Sequence, residues 1–263
     1  MSEFTTGDQR YAPTLEISGF CRGDLWSPAL DKTIILAIFS WYLNTDPQKG
    51  VPMKLTANNI SFHYHKDRPI FANLSFEMNE GDRIGIVAPS GSGKSTFANI
   101  LCGDLKPHIG DVSLDGKNID KINGFHPVQI VYQHPEKSLN PRLPMSKSLT
   151  EAYTPSLERQ KIFGIKEQWL TRFPNELSSG ELQRFCIVRL LTKEVKFLIL
   201  DEISTMLDPI TEVQIWTALL EIAKEQNLGL LVISHNVSLI HRVCEKTFDM
   251  QTGTTDFIQG KNG

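Results

Sequence analysis

Short hydrophobic runs alternate with stretches of helical periodicity along most of this 263-residue chain. Continuous apolar runs are typical of buried strands, whereas apolar positions three and four residues apart indicate helices. The predicted strands are 54–64, 83–87, 129–132, 195–200 and 228–234, and the predicted helices are 94–101, 180–191 and 210–225. In the last helix, Val213, Trp216, Leu220 and Ala223 recur at helical spacing. Strands that alternate with helices predict an α/β fold.

Residues 138–175 depart from this alternation because they are more polar and contain three proline turns. The turns are Asn140-Pro141, Leu143-Pro144 and Phe173-Pro174. Proline ends helices and favours turns. We interpret the segment as an inserted, mostly helical lobe, part of a predicted helical subdomain over 138–190.

Residues 1–52 also differ from the rest of the chain. They mix glycine, proline and polar residues with a hydrophobic patch from Leu30 to Leu43, and they end in the breaker-rich segment 44–52. Met53 then opens a clean strand pattern. We predict one domain over 53–263 with Met53 as its natural start, preceded by an appendage over 1–52 of unknown role. Its hydrophobic patch is interpreted either as a disordered or loosely docked segment or as a helix that binds a partner.

The composition is that of a globular protein without a membrane segment. The longest apolar run, 34–43, is shorter than the roughly 20 residues that a membrane-spanning helix needs. A net charge of −3 predicts no general affinity for nucleic-acid phosphates, so no nucleic-acid partner is expected. The four cysteines lie far apart, which indicates reduced thiols in the cytosol rather than a disulfide or zinc framework.

A glycine-rich turn between a predicted strand and a predicted helix is the first chemical signal. It reads Ala88-Pro-Ser-Gly-Ser-Gly-Lys-Ser-Thr96, where the full phosphate-loop pattern has glycine in place of Ala88. Backbone N–H groups at a helix N-terminus bind phosphates, Lys94 adds a mobile charge, and Ser95 offers a hydroxyl to Mg²⁺. The flanking strand and helix disfavour the alternative of a turn without a ligand. The predicted nucleotide-binding residues are Ser90, Gly91, Ser92, Gly93, Lys94, Ser95 and Thr96.

Two adjacent acids follow the predicted strand 195–200. Asp201 and Glu202 come at its carboxyl end, where open α/β sheets bind ligands. Asp201 can hold Mg²⁺ through its water shell, and Glu202 can polarise the water that attacks the γ-phosphate. An apolar strand that ends in acids is by itself a common structural feature, but its position after a phosphate loop indicates function.

A third motif resembles one family. Leu177-Ser178-Ser179-Gly180-Glu181-Leu182-Gln183-Arg184 resembles the signature of ABC cassettes, usually written LSGGQ. The resemblance implies a P-loop NTPase core of the ABC cassette type, with an antiparallel β subdomain and an inserted helical subdomain. It also implies that Ser178, Ser179 and Gly180 bind the γ-phosphate of an ATP molecule held by the opposite subunit.

Further segments match the ABC pattern in chain order, from Met53 to about Met250. Gln133 resembles the Q-loop glutamine that touches metal and water, and His235 resembles the switch histidine that contacts the γ-phosphate. The segment 204–208 resembles the D-loop. Tyr64 lies where the family places an aromatic that stacks on adenine; its alternative is a plain strand aromatic. The resemblance implies catalysis by Glu202, His235 and Gln133, ATP and Mg²⁺ as ligands, and metal contacts from Ser95, Gln133 and Asp201.

The chain departs from the family pattern in the signature and the D-loop. Ser179 replaces the first signature glycine, and Glu181 replaces glutamine. Ile203, Thr205 and Met206 alter the residues after the acids. Lys94, Glu202 and His235 are all present, so the chain's own phosphate site is expected to be competent and its signature half-site weaker. Such unequal half-sites would suit a heterodimer.

The segment 132–142 is similar to the region after the Q-loop in cassettes of dipeptide, oligopeptide and nickel importers. This resemblance implies an ATP-hydrolysing subunit that energises an importer of peptides or nickel. The implied partners are a second ABC cassette in a hetero- or homodimer, transmembrane permease subunits and an extracytoplasmic substrate-binding protein. The implied location is the cytoplasmic face of the cell membrane, where the permease subunits hold the chain.

Two other functions stay open from the sequence. Soluble ABC ATPases of translation carry two cassettes in one chain, and those of DNA repair insert long coiled coils, neither of which this sequence contains. A non-hydrolysing nucleotide-binding regulator would not need Glu202 and His235.

Overall fold

Two β-sheets and a set of mostly short helices make up residues 52–66, 68–89 and 91–258, the part of the chain that the computed structural model describes. The strands are β1 (Lys54–His65), β2 (Arg68–Asn79), β3 (Arg83–Ile86), β4 (Ile109–Leu114), β5 (Lys117–Asn118), β6 (Val128–Val131), β7 (Phe197–Asp201), β8 (Gly229–Ile233), β9 (Lys246–Asp249) and β10 (Thr254–Phe257). The helices are α1 (Lys94–Leu101), α2 (Met145–Leu149), α3 (Leu157–Ile162), α4 (Ser179–Val188), α5 (Pro209–Gln226) and α6 (Val237–Val243).

The larger sheet has the order β10-β9-β3-β8-β7-β6. Strands β9, β3, β8, β7 and β6 run parallel, and β10 pairs with β9 in the antiparallel direction. Strands β3 and β7 both run parallel to β8, so their carboxyl ends lie at the same edge of the sheet. The phosphate loop follows β3 and the acid pair ends β7, so both lie at that edge. This is the edge where open α/β sheets bind ligands.

The smaller sheet is antiparallel and has the order β2-β1-β4-β5. Its buried residues pack against α1 and one face of the larger sheet in a single hydrophobic cluster. Phe97 of α1 is fully buried at the centre, with its ring centroid 5.5 Å from that of Phe76 and 5.8 Å from that of Phe248. The helix that begins at the phosphate loop is thereby fixed between both sheets.

The opposite face of the larger sheet packs against α4, α5 and α6. Alternate residues on β7 divide between the faces: Leu198 and Leu200 join the helices, whereas Phe197 and Ile199 join the cluster around α1. Side chains on successive strand residues point to opposite faces, so a continuous apolar run is what a strand covered on both sides requires.

The structure confirms the α/β fold, with the predicted strands and helices close to their expected bounds. It corrects the face predicted to be buried on the last of these helices. The buried face of α5 consists of Ile215, Trp216, Ala218, Leu219, Ile222 and Ala223. Val213, which was expected on that face, is half exposed, and the buried positions of the helix begin at Ile215.

The inserted lobe contains less helix than the sequence predicts. Between 138 and 175 its longest helix is α3, with six residues, and the remainder consists of α2, single 3₁₀ turns and loops. Prolines account for the short pieces, since Pro144 precedes α2 and Pro155 precedes the N-cap of α3. The lobe still has an apolar core, in which the Trp169 ring lies 6.5 Å from that of Phe185 on α4.

Three thiols, those of Cys102, Cys186 and Cys244, are buried inside the described part of the chain. Burial raises the pKa of Cys102, which follows α1, to about 12, and it raises the pKa of Cys186 on α4 to about 12. No helix within 52–66, 68–89 and 91–258 combines the length and apolar character needed to span a membrane. The predicted appendage lies outside these ranges apart from Pro52, and its role stays a prediction.

Candidate nucleotide-binding site

A cavity of about 560 Å³ at the signature motif and one of about 350 Å³ at the phosphate loop are the two regions where predicted site residues gather. The second cavity draws on β1, the phosphate loop, the loop after β6, the end of β7 and the loop after β8. It is lined by Tyr64, Ile70, Gly91, Gly93, Lys94, Ser95, Thr96, Gln133, Asp201, Glu202 and His235. Residues up to 171 positions apart in the sequence are therefore brought together by the strand order of the larger sheet.

The phosphate loop has the backbone that its glycines allow. Gly91 and Gly93 have φ angles of 79° and 91°, in the left-handed region that other residues rarely adopt. A Cβ on Gly93 would lie 2.3 Å from Cγ2 of Ile70, whereas one on Gly91 would meet no atom within 4 Å. Close approach of β2 thus requires glycine at 93, and the turn itself requires it at 91.

Lys94 is buried at the first turn of α1. Its Nζ donates hydrogen bonds to the carbonyl oxygens of Ala88 at 2.7 Å and Pro89 at 3.0 Å. These two bonds hold the ammonium group of Lys94 against the phosphate loop. Its positive charge therefore lies near the backbone N–H groups at the start of α1.

Two predicted residues of the phosphate loop, Ser90 and Ser92, are not among the described residues that line the cavity. Ser92 is not among the cavity-lining residues, and its buried Oγ has no hydrogen-bond partner within the described residues. Ser90 lies outside them. The predicted contacts of these two side chains stay predictions.

Asp201 lies at the end of β7 and is 5% exposed. Burial raises the pKa of its carboxyl, while a hydrogen bond from the Ser95 side chain and the charge of Lys94 lower it by smaller amounts. Its Oδ1 is buried and has no hydrogen-bond partner within the described residues. A buried, unpaired carboxylate oxygen costs free energy unless a ligand satisfies it.

Glu202 and His235 face each other across the cavity. The carboxylate is 8% exposed, and its Oε1 lies 3.1 Å from Nε2 of His235, an ion-pair distance without hydrogen-bond geometry. The backbone N–H of His235 also points to Oε2 of Glu202 at 3.4 Å. Glu202 has a φ of 52°, and its N–H donates to the carbonyl of Ile233 at 3.0 Å, so β8 holds it in a left-handed conformation.

Gln133 reaches the cavity from the loop after β6. Its Nε2 donates to Oγ1 of Thr205 at 3.4 Å, and Thr205 in turn lies on the loop after Glu202. The altered D-loop residue Thr205 therefore contacts the predicted Q-loop glutamine within one chain. This contact was not expected from the sequence, because the two residues are 72 positions apart.

Tyr64 lies at the rim of the cavity near the end of β1. Its ring is 60% exposed, and its hydroxyl lies 3.1 Å from Oγ1 of Thr96 in the phosphate loop. Phe62 supports the ring edge-on, with the centroids 5.0 Å apart. An exposed aromatic face beside a phosphate loop is suited to stacking against a flat base.

Ser178, Ser179 and Gly180 do not line the cavity at the phosphate loop. They line the 560 Å³ cavity, which shares no lining residue with the 350 Å³ cavity at the phosphate loop. Ser178 is the N-cap of α4, and its hydroxyl and backbone N–H both bond to Oε2 of Glu181, at 3.0 Å and 2.8 Å. The spacing Ser-x-x-Glu is a capping-box pattern that the sequence already contained, although this pairing was not predicted.

Comparisons with known proteins agree with this geometry. The sequence profile of the ABC transporter family matches residues 71–205, more than half of the chain. The chain belongs to the ABC transporter family. It is an ATPase cassette of that family, and the match covers the phosphate loop, the signature motif and the acid pair.

Two relatives place this ABC cassette in more detail. It is 28% identical to the nickel import ATP-binding protein NikE of Shigella boydii serotype 4 over 225 residues, 76% of this chain and 84% of that protein. It is 33% identical to the probable D,D-dipeptide transport ATP-binding protein DdpF of Escherichia coli K12 over 192 residues. That match covers 68% of this chain and 60% of DdpF.

Solved structures confirm the fold of the ABC cassette. The dimeric structure of MJ0796, a bacterial ABC transporter cassette, superposes with a TM-score of 0.66 at 23% identity. The superposition covers 78% of this chain and 99% of that one.

Proposed function

We propose that this ABC cassette binds ATP and Mg²⁺ in the 350 Å³ cavity and hydrolyses ATP to drive an importer of nickel or short peptides. One observation carries the first half of the proposal. Three separate segments of the chain supply Lys94, the adjacent pair Asp201 and Glu202, and His235, yet all four line one cavity at the carboxyl edge of the parallel sheet. The names and functions of NikE and DdpF support the second half.

Phosphate binding begins with Lys94 and the loop backbone. In the described structure, Nζ of Lys94 donates to two loop carbonyls. A phosphate oxygen is a charged acceptor and forms a stronger hydrogen bond than a neutral carbonyl. We expect the ammonium group to turn from Ala88 and Pro89 toward the β- and γ-phosphates, while the N–H groups at the start of α1 hold the same oxygens.

The residues around Asp201 fit a hard divalent cation. Oxygen ligands are those that Mg²⁺ prefers, and the orphaned Oδ1 of Asp201 and the Ser95 hydroxyl supply two of them. Gln133 lines the same cavity and can add its amide oxygen. Bound there, the cation would neutralise charge on the phosphates and relieve the cost of the buried carboxylate.

We expect Glu202 to orient the attacking water. It is nearly buried, it faces the cavity, and the backbone of β8 fixes its position. His235 next to it is half exposed and able to contact the γ-phosphate while it limits the motion of the Glu202 carboxylate. Transfer of the γ-phosphoryl group of ATP to water depends largely on such positioning.

The signature half-site supports a paired arrangement. Ser178, Ser179 and Gly180 lie at the N-terminus of α4, where anions bind favourably, but in a cavity separate from the chain's own phosphate loop. A second cassette in head-to-tail orientation would bring its bound ATP to this half-site. Its own signature segment would in turn contact the ATP bound by this chain. The dimeric form of MJ0796 supports this arrangement.

The remaining partners follow from the importer proposal. Permease subunits would hold the cassette at the cytoplasmic face of the cell membrane, and an extracytoplasmic substrate-binding protein would deliver the cargo. We expect the inserted lobe near 138–175 to contact the permease.

The test of the ATP site compares the wild type with Lys94→Ala and with Lys106→Ala. Lys106 is exposed and pairs with Asp120 outside the cavity, so its removal controls for loss of a surface charge. Calorimetry with Mg-ATP should show binding for the wild type and Lys106→Ala, and a loss of about 100-fold or more for Lys94→Ala. Equal affinities for all three proteins would contradict the assigned site.

The test of the importer uses cells that lack the gene for this chain. Uptake of radioactive nickel and of a labelled dipeptide is measured after complementation with the wild type or with Glu202→Gln. Restoration of one uptake by the wild type alone identifies the cargo. Restoration of neither, with the complete gene cluster expressed, would refute the importer proposal.

A further inference from the structure

Tyr132 immediately precedes Gln133, and its hydroxyl connects the loop to the phosphate-loop helix. The Oη atom lies 2.6 Å from Oδ2 of Asp104 and 2.9 Å from Oδ1 of Asn99. Asn99 is on α1, and Asp104 follows the end of that helix. One hydroxyl proton serves one acceptor at a time, and a carboxylate is the stronger acceptor, so Asp104 holds the hydroxyl while Asn99 borders it.

The connection continues toward the cavity through Asn99. Its Nδ2 donates to the carbonyl oxygen of Ser95 at 2.8 Å, one turn earlier on α1. Ser95 lines the cavity, and its side chain bonds to Asp201. A short series of contacts thus runs from the cavity to the residue before Gln133.

The backbone of Tyr132 is tied to a different element. Nε2 of Gln183, a residue of α4 that is 2% exposed, donates to the Tyr132 carbonyl at 3.3 Å. Tyr132 therefore contacts α1 through its side chain and the signature helix α4 through its main chain. Among the described residues, the side chain of Gln133, one position further, has a single hydrogen bond, the long one of 3.4 Å to Thr205.

We propose that Tyr132 is a positioning residue: its hydroxyl, bonded at the phosphate-loop helix, holds Gln133 at the cavity, and its main-chain carbonyl ties the same residue to the signature helix. The role rests on the ATPase activity of the cassette and concerns hydrolysis rather than nucleotide affinity. Tyr132 is not among the cavity-lining residues, so it acts through the position of Gln133.

The experiment compares the full-length wild type with Tyr132→Phe and Tyr153→Phe. Tyr153 is the matched control, since its partly buried hydroxyl also donates a hydrogen bond, to the carbonyl of Val188 at 2.7 Å, but away from the cavity. Hydrogen exchange is followed for peptides 91–101 and 129–139, with and without Mg-ATP. Steady-state ATP hydrolysis gives kcat and KM.

Tyr132→Phe should speed exchange in 129–139 even without nucleotide, and Mg-ATP should still protect 91–101. Its kcat should fall by about threefold to tenfold, with KM unchanged, as expected for loss of one hydrogen bond that positions the hydrolytic site. Tyr153→Phe should behave as the wild type in both peptides and in kcat.

Unchanged exchange and unchanged kcat in Tyr132→Phe would overturn the proposal. So would equal changes in both variants, or loss of 91–101 protection in Tyr132→Phe, because either indicates general damage. Failure of Mg-ATP to protect 91–101 in the wild type is a different result and would contradict the ATP site itself. The exchange of 129–139 without nucleotide still decides the role of the hydroxyl in that case.

Discussion

Oε1 of Glu202 lies 3.1 Å from Nε2 of His235, although the two residues belong to loops that follow different strands. Strands β7 and β8 are hydrogen-bonded neighbours, and Asp201 pairs with Ile233 in their register. The pairing brings the residues one and two positions beyond each strand within reach of each other. The histidine is 54% exposed and the glutamate 9%, so one partner meets solvent while the other is held inside.

Replacing Glu202 by Gln should separate binding from hydrolysis. The amide keeps the shape of the side chain but removes the base that orients water, so kcat should fall by about 100-fold or more. Affinity for Mg-ATP should stay within about threefold, because Lys94 and the loop backbone are intact. Rapid-quench hydrolysis and calorimetry on the same preparation measure both, and unchanged turnover would remove Glu202 from its assigned role.

The two phosphate-loop glycines should respond differently to alanine. Gly91→Ala forces a left-handed φ on alanine without a clash, which costs about 1–2 kcal/mol of stability. Gly93→Ala adds a contact of 2.3 Å with Ile70 and should cost about 1–3 kcal/mol more. Urea denaturation measures both.

A second substitution that removes the Ile70 side chain tests whether its contact with residue 93 causes the loss of stability. In a Gly93→Ala background, Ile70→Ala removes the atom that the new methyl group would meet. The pair should cost less than the sum of the two single changes. Additive costs would show that the clash does not matter.

Asp201→Asn should stabilise the fold while it weakens metal-dependent binding. Because burial raises the pKa of this carboxyl, the folded protein keeps its proton to a higher pH than the unfolded chain does. Stability is therefore lost as pH rises from the usual aspartate range through the raised value. The neutral amide avoids this loss, so at pH 7 the variant should gain about 0.5–2 kcal/mol.

The same variant should show a flatter dependence of stability on pH between 4 and 7 than the wild type. Its ATP affinity should lose most of its response to Mg²⁺. Chemical denaturation across this pH interval measures the first effect. A variant that is less stable than the wild type at pH 7 would show that contacts from Ser95 and Lys94 outweigh the burial.

Ala88→Gly restores the glycine of the full phosphate-loop pattern, and we expect little change in binding. Ala88 is not among the described residues with a positive φ, so its methyl group fits the backbone as it stands. Glycine should lower stability by about 0.4–1 kcal/mol through the greater freedom of the unfolded chain. A tenfold gain in Mg-ATP affinity would show instead that the methyl group obstructs the phosphates.

Much of the site could be predicted because its chemistry lies in contiguous motifs. The phosphate loop and the Asp201–Glu202 pair each follow a short apolar strand, and local pattern alone locates them. Contacts such as Tyr132 with Asp104 depend on how separate strands are ordered, which no local pattern contains. The left-handed φ of Glu202 is equally invisible in the sequence, since it results from the bond to Ile233.

The strand β2 was missed for a different reason. Its buried residues are Phe71, Leu74, Phe76 and Met78, and the step of three between the first two interrupts the alternation of a strand. A bulge at Asn73, with a φ of 52°, produces that step. Its N–H is satisfied by Oγ of Ser61 on β1, so the irregularity is built into the sheet.

The burial of three thiols in the core, those of Cys102, Cys186 and Cys244, has a practical consequence for spectroscopy. Only a thiolate reacts readily with maleimides, and at pH 7 burial leaves almost none on Cys102 or Cys186. Cys244 is 0% exposed, so a dye cannot reach its thiol in the folded protein. A cysteine introduced at an open position such as Leu157, which is 72% exposed, should therefore take up a dye selectively. With Cys21, outside the described ranges, replaced by serine, a donor on one cassette and an acceptor on another could follow their approach in real time.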